Sequence, residues 1–254
     1  MKQEWVSPYQ SKNFNETLRQ IGVTTATVDT NFGSIYFNQL TTDKLTAWEV
    51  DLPTTRQKIP ESFDVWKFAD INQFKKMTWS ERSYFSPIIT NQPNFHQFYR
   101  NSNKRNIKKA IEFGLYTTNN QNNLSEVLSL FNKRKEVRGN IDYKVFKKLT
   151  KRLLENKLAD IHMVKLDEYV TAAGIIIKSD KIANIRFVAS NQEYLPLYPV
   201  NLLYHSIISY YFNIGYKIID LSGTVPPGDS NKKLLSISQF KYGFTHKIAT
   251  FNNL

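Results

Sequence analysis

Cysteine is absent from the 254-residue sequence, and this gap excludes several kinds of site at once. Without a thiol the chain has no disulfide, no thiolate nucleophile, no cysteine-ligated zinc and no iron–sulfur cluster. No stretch approaches about 20 consecutive apolar residues, the length that a transmembrane helix needs, and the first residues lack the apolar run of a secretory signal. We therefore expect a cytoplasmic protein.

Motifs of several common enzyme classes are also missing. The nine glycines form no Gly-x-Gly-x-x-Gly or Gly-x-x-x-x-Gly-Lys loop, and no Gly-x-Ser-x-Gly sequence occurs. These absences disfavour dinucleotide-binding, P-loop and serine-hydrolase functions. No metal is expected either, because the four histidines do not stand at the spacing of metal ligands; they are His96, His162, His205 and His246.

Charge is distributed unevenly along the chain. Residues 1–81 hold nine Lys or Arg, ten Asp or Glu and all four tryptophans, a net charge of −1, so the total of +12 places +13 on residues 82–254. This step predicts a small N-terminal α+β unit over 1–81 and a second, basic unit over 82–254. A basic unit attracts RNA, nucleotide phosphates, a CoA-like molecule or an acidic membrane surface, although a solvated basic face without a partner would have the same composition.

Hydrophobic periodicity predicts mixed α and β structure. Residues 160–189 are interpreted as three antiparallel strands in close succession, and a strongly apolar helix follows them. Ser102 or Asn103 is the predicted cap of the first helix in the basic unit. Helices are predicted from that cap to Gly114 and at 124–137, 142–155, 200–213 and 232–240, with a helical turn at 70–76. Strands are predicted at 22–29, 34–40, 84–90, 160–166, 170–178, 182–189, 216–221 and 244–251.

The densest positive charge lies on one predicted helix, where Lys104, Arg105, Lys108 and Lys109 point away from Ile107. A second basic field lies on the predicted helix 142–155. Surfaces of this kind bind phosphate backbones without reading bases, so tRNA is a candidate partner. A solvated helix face is the competing interpretation.

Two further places carry polar side chains in apolar surroundings. Asp220 and Ser222 stand at the end of a predicted buried strand, where they either contact a substrate or cap the next loop. Lys241 stands between Phe240 and Tyr242, and it either holds an anionic or carbonyl group or covers the edge of an aromatic core. The start of helix 200–213 offers backbone N–H groups and a helix dipole to a phosphate.

Three segments of the basic unit resemble segments of FemABX-type peptidyltransferases and their GNAT-fold relatives. The first is K-R-N-I-K-K-A at 104–110, followed by Gly114-Leu115. The second is P-x-N-L-L at 199–203, followed by G-Y-K-x-x-D-L-S-G at 215–223. The third is F-K-x-G-F at 240–244, and the order and spacing of all three match.

This resemblance implies the fold class, an α+β protein with a mixed sheet. The basic unit would be a GNAT-like acyltransferase domain whose sheet splays where an acyl donor inserts, and residues 1–81 would be a short, degenerate GNAT-like unit. Phe187, Val188 and Ala189 would pair with the pantetheine arm of acyl-CoA. The helix start at Asn201 and Leu202 would take the pyrophosphate.

The implied reaction is the direct attack of an acceptor amine on the acyl group, the amine belonging to a small molecule, a sugar or a peptide. Asp220, which would contact the amine, and Lys241, which would contact an anion or carbonyl, are the candidate catalytic residues. Arg186, Ser222 and Phe240 are added as candidate substrate contacts.

Two alternatives stay open. The Gln/Arg-x-x-Gly-x-Gly/Ala pyrophosphate loop of acetyl-CoA enzymes is absent, with Gln192–Pro196 near its place, and this leaves aminoacyl-tRNA as the donor of a FemABX-type peptidyltransferase. The other alternative is a non-catalytic protein that binds RNA or another anion through its basic helices.

Overall fold

A computed structural model describes residues 11–30, 33–38, 67–70, 83–134, 141–225 and 229–252. Its helices are α1 (Lys12–Gln20), α2 (Asn101–Glu112), α3 (Leu124–Asn132), α4 (Tyr143–Glu155), α5 (Pro199–Asn213) and α6 (Lys232–Tyr242). Its strands are β1 (Thr25–Thr30), β2 (Gly33–Asn38), β3 (Lys67–Asp70), β4 (Ser83–Thr90), β5 (Tyr116–Thr118), β6 (Ala159–Leu166), β7 (Tyr169–Lys178), β8 (Ile182–Ser190), β9 (Ile218–Asp220) and β10 (Lys247–Asn252).

Eight of these strands form one mixed sheet in the order β3-β10-β4-β9-β8-β7-β6-β5. Every neighbouring pair is antiparallel except β8 and β9, which run parallel. A parallel pair needs a crossover connection, and α5 supplies it. Strands β1 and β2 form a separate antiparallel hairpin in which Thr30 lies opposite Gly33, and these are the two strands predicted at 22–29 and 34–40, with shifted ends.

Helices cover both faces of the sheet. On one face α1, α3 and α4 bury Leu18, Phe131 and Phe146 against β6, β7 and β8. On the other face α5 and α2 form a second core. Helix α5 approaches the sheet closely over Gly174, where an added Cβ would lie 3.3 Å from the Ile207 Cδ1 atom. Helix α5 is apolar along most of its length because it is buried between the sheet on one side and α2 on the other.

Most predicted elements from residue 84 onward are present, with differences at their ends. The helix predicted at 142–155 is α4, and Asp142 caps it by accepting hydrogen bonds from the Lys144 and Val145 N–H groups (2.8 and 3.3 Å). The predicted cap of α2 is wrong, because the helix already begins at Asn101 and places Asn103 inside it. Asn103 is buried there, because it contacts Asn201 at the start of α5 and Gly243 at the end of α6.

Other differences are smaller. The strand predicted at 216–221 is reduced to β9, and the last helix continues to the end of α6 at residue 242. Of the helical turn predicted at 70–76, Asp70 instead ends strand β3, and 71–76 lie outside the described residues, as does the predicted helix end at 135–137. Helix α1 and strand β5 were not predicted.

Two elements from residues 1–81 are joined to the rest of the protein. Helix α1 places Phe14 and Leu18 in the same core as α3 and α4, and Asn156 donates a hydrogen bond to the Thr17 Oγ1 atom (2.8 Å). Strand β3 pairs with β10 at the edge of the main sheet. Helix α1 therefore shares a core with 82–254, and strand β3 shares its sheet. The boundary between two units at residue 81 stays a prediction.

Replacing Leu18 with alanine tests this shared core. Leu18 is fully buried, so we expect the free energy of unfolding to fall by about 2–5 kcal/mol in a single cooperative transition, followed by circular dichroism in urea. Ile214→Ala is the matched control, because Ile214 is 54% exposed and should change stability by no more than about 0.5 kcal/mol. A separate early transition in Leu18→Ala would mean that α1 belongs to an independent unit.

Candidate active site

The parallel strands β8 and β9 pair over only three residues and then part. Ile182, Ala183 and Asn184 lie opposite Ile218, Ile219 and Asp220, whereas β8 continues for six more residues to Ser190. Beyond Asp220 the chain turns toward β4, where the Leu221 N–H donates to the Pro87 carbonyl oxygen (2.9 Å). The edge of β8 from 185 to 190 is therefore left unpaired by β9. We call the point of parting, at Asn184 and Asp220, the fork.

A β-bulge coincides with the fork. In β7, Ile175 lies opposite Phe187 and the next residue, Ile176, lies opposite Ile185, so Arg186 is an extra residue without a partner position. A bulge bends its strand and increases the local twist. This bend, together with the turn of the chain after β9, gives a physical reason for the parting of the two strands.

Asp220 holds the fork together. Its side chain is completely buried and accepts hydrogen bonds from Ser86 Oγ on β4, from Asn184 Nδ2 on β8 (2.6 Å) and from the Ser222 N–H (2.7 Å). The last bond fits a tight turn, since Ser222 has a φ of 66°, in the left-handed region. One carboxylate thus ties two strands and the loop that follows β9.

Lys241 lies at the same fork. It stands in the last turn of α6, is buried, and donates hydrogen bonds from Nζ to the carbonyl oxygens of Ser222 (3.0 Å) and Gly223 (2.9 Å). Tyr242 also binds this loop, through hydrogen bonds from its hydroxyl to Thr224 Oγ1 and the Val225 carbonyl oxygen, both 3.0 Å. The end of α6 therefore clamps the loop after β9, and an amine lies beside the buried carboxylate.

Burial and charge act in opposite directions on this pair. Burial lowers the pKa of Lys241 to about 8, the charge of Asp220 raises it, and the charge of Arg186 lowers it. Burial raises the pKa of Asp220, and the hydrogen bonds from Ser86, Ser222 and Asn184, with the charge of Lys241, oppose that rise. Lys241 can therefore change protonation near neutral pH, unlike an exposed lysine.

Aromatic rings form a wall near Asp220, whose charge acts on Tyr204. Tyr204 on α5 stacks on Phe244, with ring centroids 5.4 Å apart, and meets the edge of Phe240 at 5.2 Å. Burial raises the pKa of Tyr204, and so does the charge of Asp220. Phe240, a predicted substrate contact, is half-buried in this wall.

The structure brings several predicted site residues together and places others farther along β8. Asp220, Ser222 and Lys241 are in direct contact, and Arg186 interacts with Lys241 through its charge. Arg186 is half-buried, with its guanidinium carbon 5.6 Å from the centroid of the Phe187 ring. On the unpaired part of β8, Phe187 and Ala189 turn their side chains into the core and Val188 is half-buried, so only their backbone faces the open edge.

The start of α5 offers fewer donors to a phosphate than the sequence suggests. Pro199 has no N–H group, and the N–H groups of Asn201 and Leu202 both donate to the Tyr198 carbonyl oxygen (3.1 and 3.4 Å). The side chains of Asn201 and Leu202 are buried, and Asn201 Nδ2 donates to Asn103 Oδ1 (3.1 Å). Their contact with a pyrophosphate stays a prediction that these bonds do not favour.

The basic helix α2 begins beside the start of α5, through this contact between Asn103 and Asn201. Its side chains Lys104, Arg105, Lys108 and Lys109 are exposed. The second basic field belongs to α4, which covers the opposite face of the sheet. The two fields are therefore separated by the sheet, and only that of α2 lies near the fork; the exposed cations of α4 are Lys144, Lys147, Lys148, Lys151 and Arg152.

Sequence reasoning missed Ser86, Asn184 and Tyr204. A signal existed for Asn184, since a lone amide within the apolar run Ile182–Ile185 needs a buried partner. Ser86 likewise stands between aromatic and apolar residues in β4. Their common partner, Asp220, lies 134 residues from Ser86 and 36 from Asn184, and only the folded chain brings them together.

Solved structures give a clear likeness, whereas no protein-family model and no curated protein sequence matches this chain. The crystal structure of FemX superposes with a TM-score of 0.64 and 11% identity, over 94% of this chain and 91% of that one. The chain has a FemX-like fold. The predicted fold class, an α+β protein with a mixed, GNAT-like sheet, is confirmed.

A second likeness agrees with the first. A conserved protein of unknown function from Bacteroides thetaiotaomicron superposes with a TM-score of 0.56 and 10% identity, over 96% of this chain and 92% of that one. The two matches cover 94% and 96% of this chain, more than residues 82–254 alone could supply. Each match therefore includes part of residues 1–81. Among the described helices, none is long and apolar enough to cross a membrane.

Asp220→Asn tests the role of the buried carboxylate. The three partners named above all donate to Asp220, so an amide would turn an N–H group toward a donor, and we expect a loss of about 1–3 kcal/mol in the free energy of unfolding. Urea unfolding at pH 7 measures it. Asp180→Asn, at an exposed position, is the control and should be neutral. Equal stability of the two variants would show that Asp220 does not hold the fork.

Proposed function

We propose that the protein is an N-acyltransferase in which an acceptor amine attacks the carbonyl carbon of an acyl-CoA thioester at the fork. The observation that carries the proposal is the parting of β8 and β9 at Asp220, with the buried Lys241 beside it. The FemX-like fold supports the same kind of reaction, the transfer of an acyl or aminoacyl group.

The unpaired edge of β8 fits a thin arm that contains amide groups. Residues 185–190 continue past the last pair with β9 and keep their pairing with β7 on the other side. A backbone edge of this kind satisfies the amides of a ligand as it would those of another strand. Phe187, Val188 and Ala189 would hold the arm through their backbone, with the thioester directed toward Asn184 and Asp220.

Lys241 would stabilise the charge that develops on the carbonyl oxygen. An ammonium group has three donors, and two of them bind the carbonyl oxygens of Ser222 and Gly223, which fixes the position of Nζ. The third has no hydrogen-bond partner among the residues that the structure describes and would bind a substrate oxygen, which is the arrangement of an oxyanion site. In the balanced reaction a C–N bond forms, the C–S bond breaks, the amine loses a proton and the thiolate gains one.

Asp220 would act through its neighbours. Its oxygens accept three hydrogen bonds and its side chain has no exposed surface, which favours a positioning role over direct contact with the acceptor amine. It would hold β4, β8 and the loop around Lys241 and partly balance the charge of Lys241. Arg186, Ser222 and Phe240 are proposed as further substrate contacts at the fork.

Aminoacyl-tRNA is the second candidate donor, and the position of α2 favours it. The exposed cations of α2 begin next to the start of α5, where the unpaired edge of β8 leads after residue 190. Because α5 itself has few free N–H donors at its start, side chains such as Lys104 and Arg105 would supply the contacts to phosphate. CoA and the 3′ end of a tRNA both carry phosphate beside the reactive acyl group, so one site would suit either.

The pH dependence of transfer tests the role of Lys241. If the ammonium form stabilises the carbonyl oxygen, kcat/KM expressed per unprotonated acceptor amine is constant below the pKa of about 8 and falls tenfold per pH unit above it. Lys241→Arg keeps a charge that is not lost in this range, so the falling limb should disappear. Lys241→Ala should lower kcat by about 10²–10³-fold.

Lys232→Ala is the matched control, since Lys232 is exposed at the other end of α6. It should leave both kcat and the pH profile unchanged. Full activity of Lys241→Ala at pH 7 would remove Lys241 from the mechanism.

The donor is identified by binding. Acyl-CoA at 100 times its dissociation constant should raise the free energy of unfolding by about 2.7 kcal/mol, measured as a thermal shift. Aminoacyl-tRNA should instead bind with an affinity that falls steeply with salt and that is lost in Lys104→Glu/Arg105→Glu.

The control for that variant is Lys147→Glu/Lys148→Glu, which makes the same charge change on α4, across the sheet from the fork. If Lys104→Glu/Arg105→Glu abolishes RNA binding while Lys241→Ala leaves every transfer reaction unchanged, the protein is an RNA- or anion-binding protein without catalysis.

A further inference from the structure

Gly243 is a glycine for a reason other than its backbone conformation. Its φ of −71° and ψ of −10° are ordinary helical values that alanine adopts freely. A Cβ atom at this position, however, would lie 2.6 Å from Asn103 Nδ2, 3.2 Å from Asn103 Cγ and 3.0 Å from the Phe240 carbonyl oxygen. The missing side chain therefore permits a close approach between the end of α6 and the first turn of α2.

Three helices meet at Asn103. The side chain is 6% exposed, and its Oδ1 accepts a hydrogen bond from Asn201 Nδ2 at the start of α5 (3.1 Å). Its Nδ2 has no hydrogen-bond partner within the described part of the chain and faces Gly243. A buried amide group with an unused N–H donor costs free energy. The position of Asn103 Nδ2 is therefore better explained by its packing against Gly243 than by a hydrogen bond.

A backbone hydrogen bond also joins the start of α2 to the end of α6. The Arg100 N–H, just before α2, donates to the Gly243 carbonyl oxygen (2.8 Å). We call Arg100, Asn103, Asn201 and Gly243 the helix junction. It connects the second and third segments of the family resemblance, at Asn201 and Gly243, to the first residues of the basic helix.

We propose that the helix junction positions Lys241, with Gly243 as a positioning residue that does not touch substrate and Asn103 as the side chain that the missing Cβ accommodates. Lys241 lies two residues before Gly243, and its carbonyl oxygen accepts from the Phe244 N–H (3.0 Å), so the backbone on both sides of Gly243 moves with it. The two bonds from Nζ, at 3.0 and 2.9 Å, leave little room for displacement of α6. The inference rests on the proposed function only for what Lys241 does in catalysis.

Gly243→Ala tests the proposal through the pKa of Lys241, measured in the full chain without substrate. Carbon-13 NMR of lysine labelled at Cε reports this pKa, and Lys241→Arg assigns the signal. We expect Gly243→Ala to move the pKa by at least half a unit from its value of about 8. The double variant Asn103→Ala/Gly243→Ala removes the two Asn103 atoms that the new Cβ would meet and leaves only the Phe240 carbonyl oxygen at 3.0 Å, so it should restore the pKa to within about 0.2 units of the unmodified protein.

An unchanged pKa in folded Gly243→Ala, or a shifted pKa that Asn103→Ala does not restore, overturns the proposal. Because no substrate is present, this outcome is separate from the failure of the proposed function, which the transfer assay of Lys241→Ala decides. A loss of thermal stability alone, without a pKa change, means a structural role only and also overturns the proposal.

If Gly243→Ala does not fold, Arg100→Pro replaces it. Arg100 has a φ of −57° and the preceding Tyr99 a ψ of 137°, values that proline accepts, so the change removes one N–H without strain. Arg100→Ala is the matched control, since it keeps the N–H and loses the same side chain. Arg100→Pro should move the pKa of Lys241 and Arg100→Ala should not; equal values in the two variants contradict the proposal.

Discussion

The hydrogen bonds that Asp220 accepts are the constraint on which the fork depends. The parallel pairing of β8 and β9 ends at one defined position, Asn184 and Asp220. Asp220 fixes this position by binding β4, β8 and its own loop with one buried carboxylate. The bulge at Arg186 and the left-handed turn at Ser222 then direct the two chains apart.

Lys241 adds an electrostatic consequence to this geometry. A buried ammonium group is costly, and here two backbone carbonyl groups and the charge of Asp220 offset part of that cost. The result is an amine whose pKa lies close to neutral pH and whose position is fixed. These are the properties that a group needs to stabilise developing charge during acyl transfer.

The basic surfaces have different relations to this site. The cations of α2 begin beside the start of α5 and so lie near the place where an anionic donor would enter. Those of α4 lie on the opposite face of the sheet. The charge of +13 in residues 82–254 is therefore not one surface, and only part of it bears on the proposed function.

Hydrophobic periodicity and turn residues were enough to predict the helices and strands whose defining residues lie close together in the sequence. The three strands β6 to β8, the capped helix α4 and the apolar helix α5 all follow from periodicity and turn residues. Helix α1 was missed because its buried face is carried mainly by Phe14 and Leu18 within a polar segment. The resemblance added the fold, which local pattern alone would not have specified.

By itself the sequence determined the absence of thiol chemistry, the concentration of positive charge after residue 81, and the presence of Asp220 and Lys241 in apolar surroundings. Only the tertiary structure decided that Asp220 is enclosed by Ser86 and Asn184, that β9 stops after three residues, and that Asn103 lies against Gly243. The physical reason is separation along the chain. Hydrogen bonds and close contacts between residues dozens of positions apart form only when the sheet and its helices are assembled.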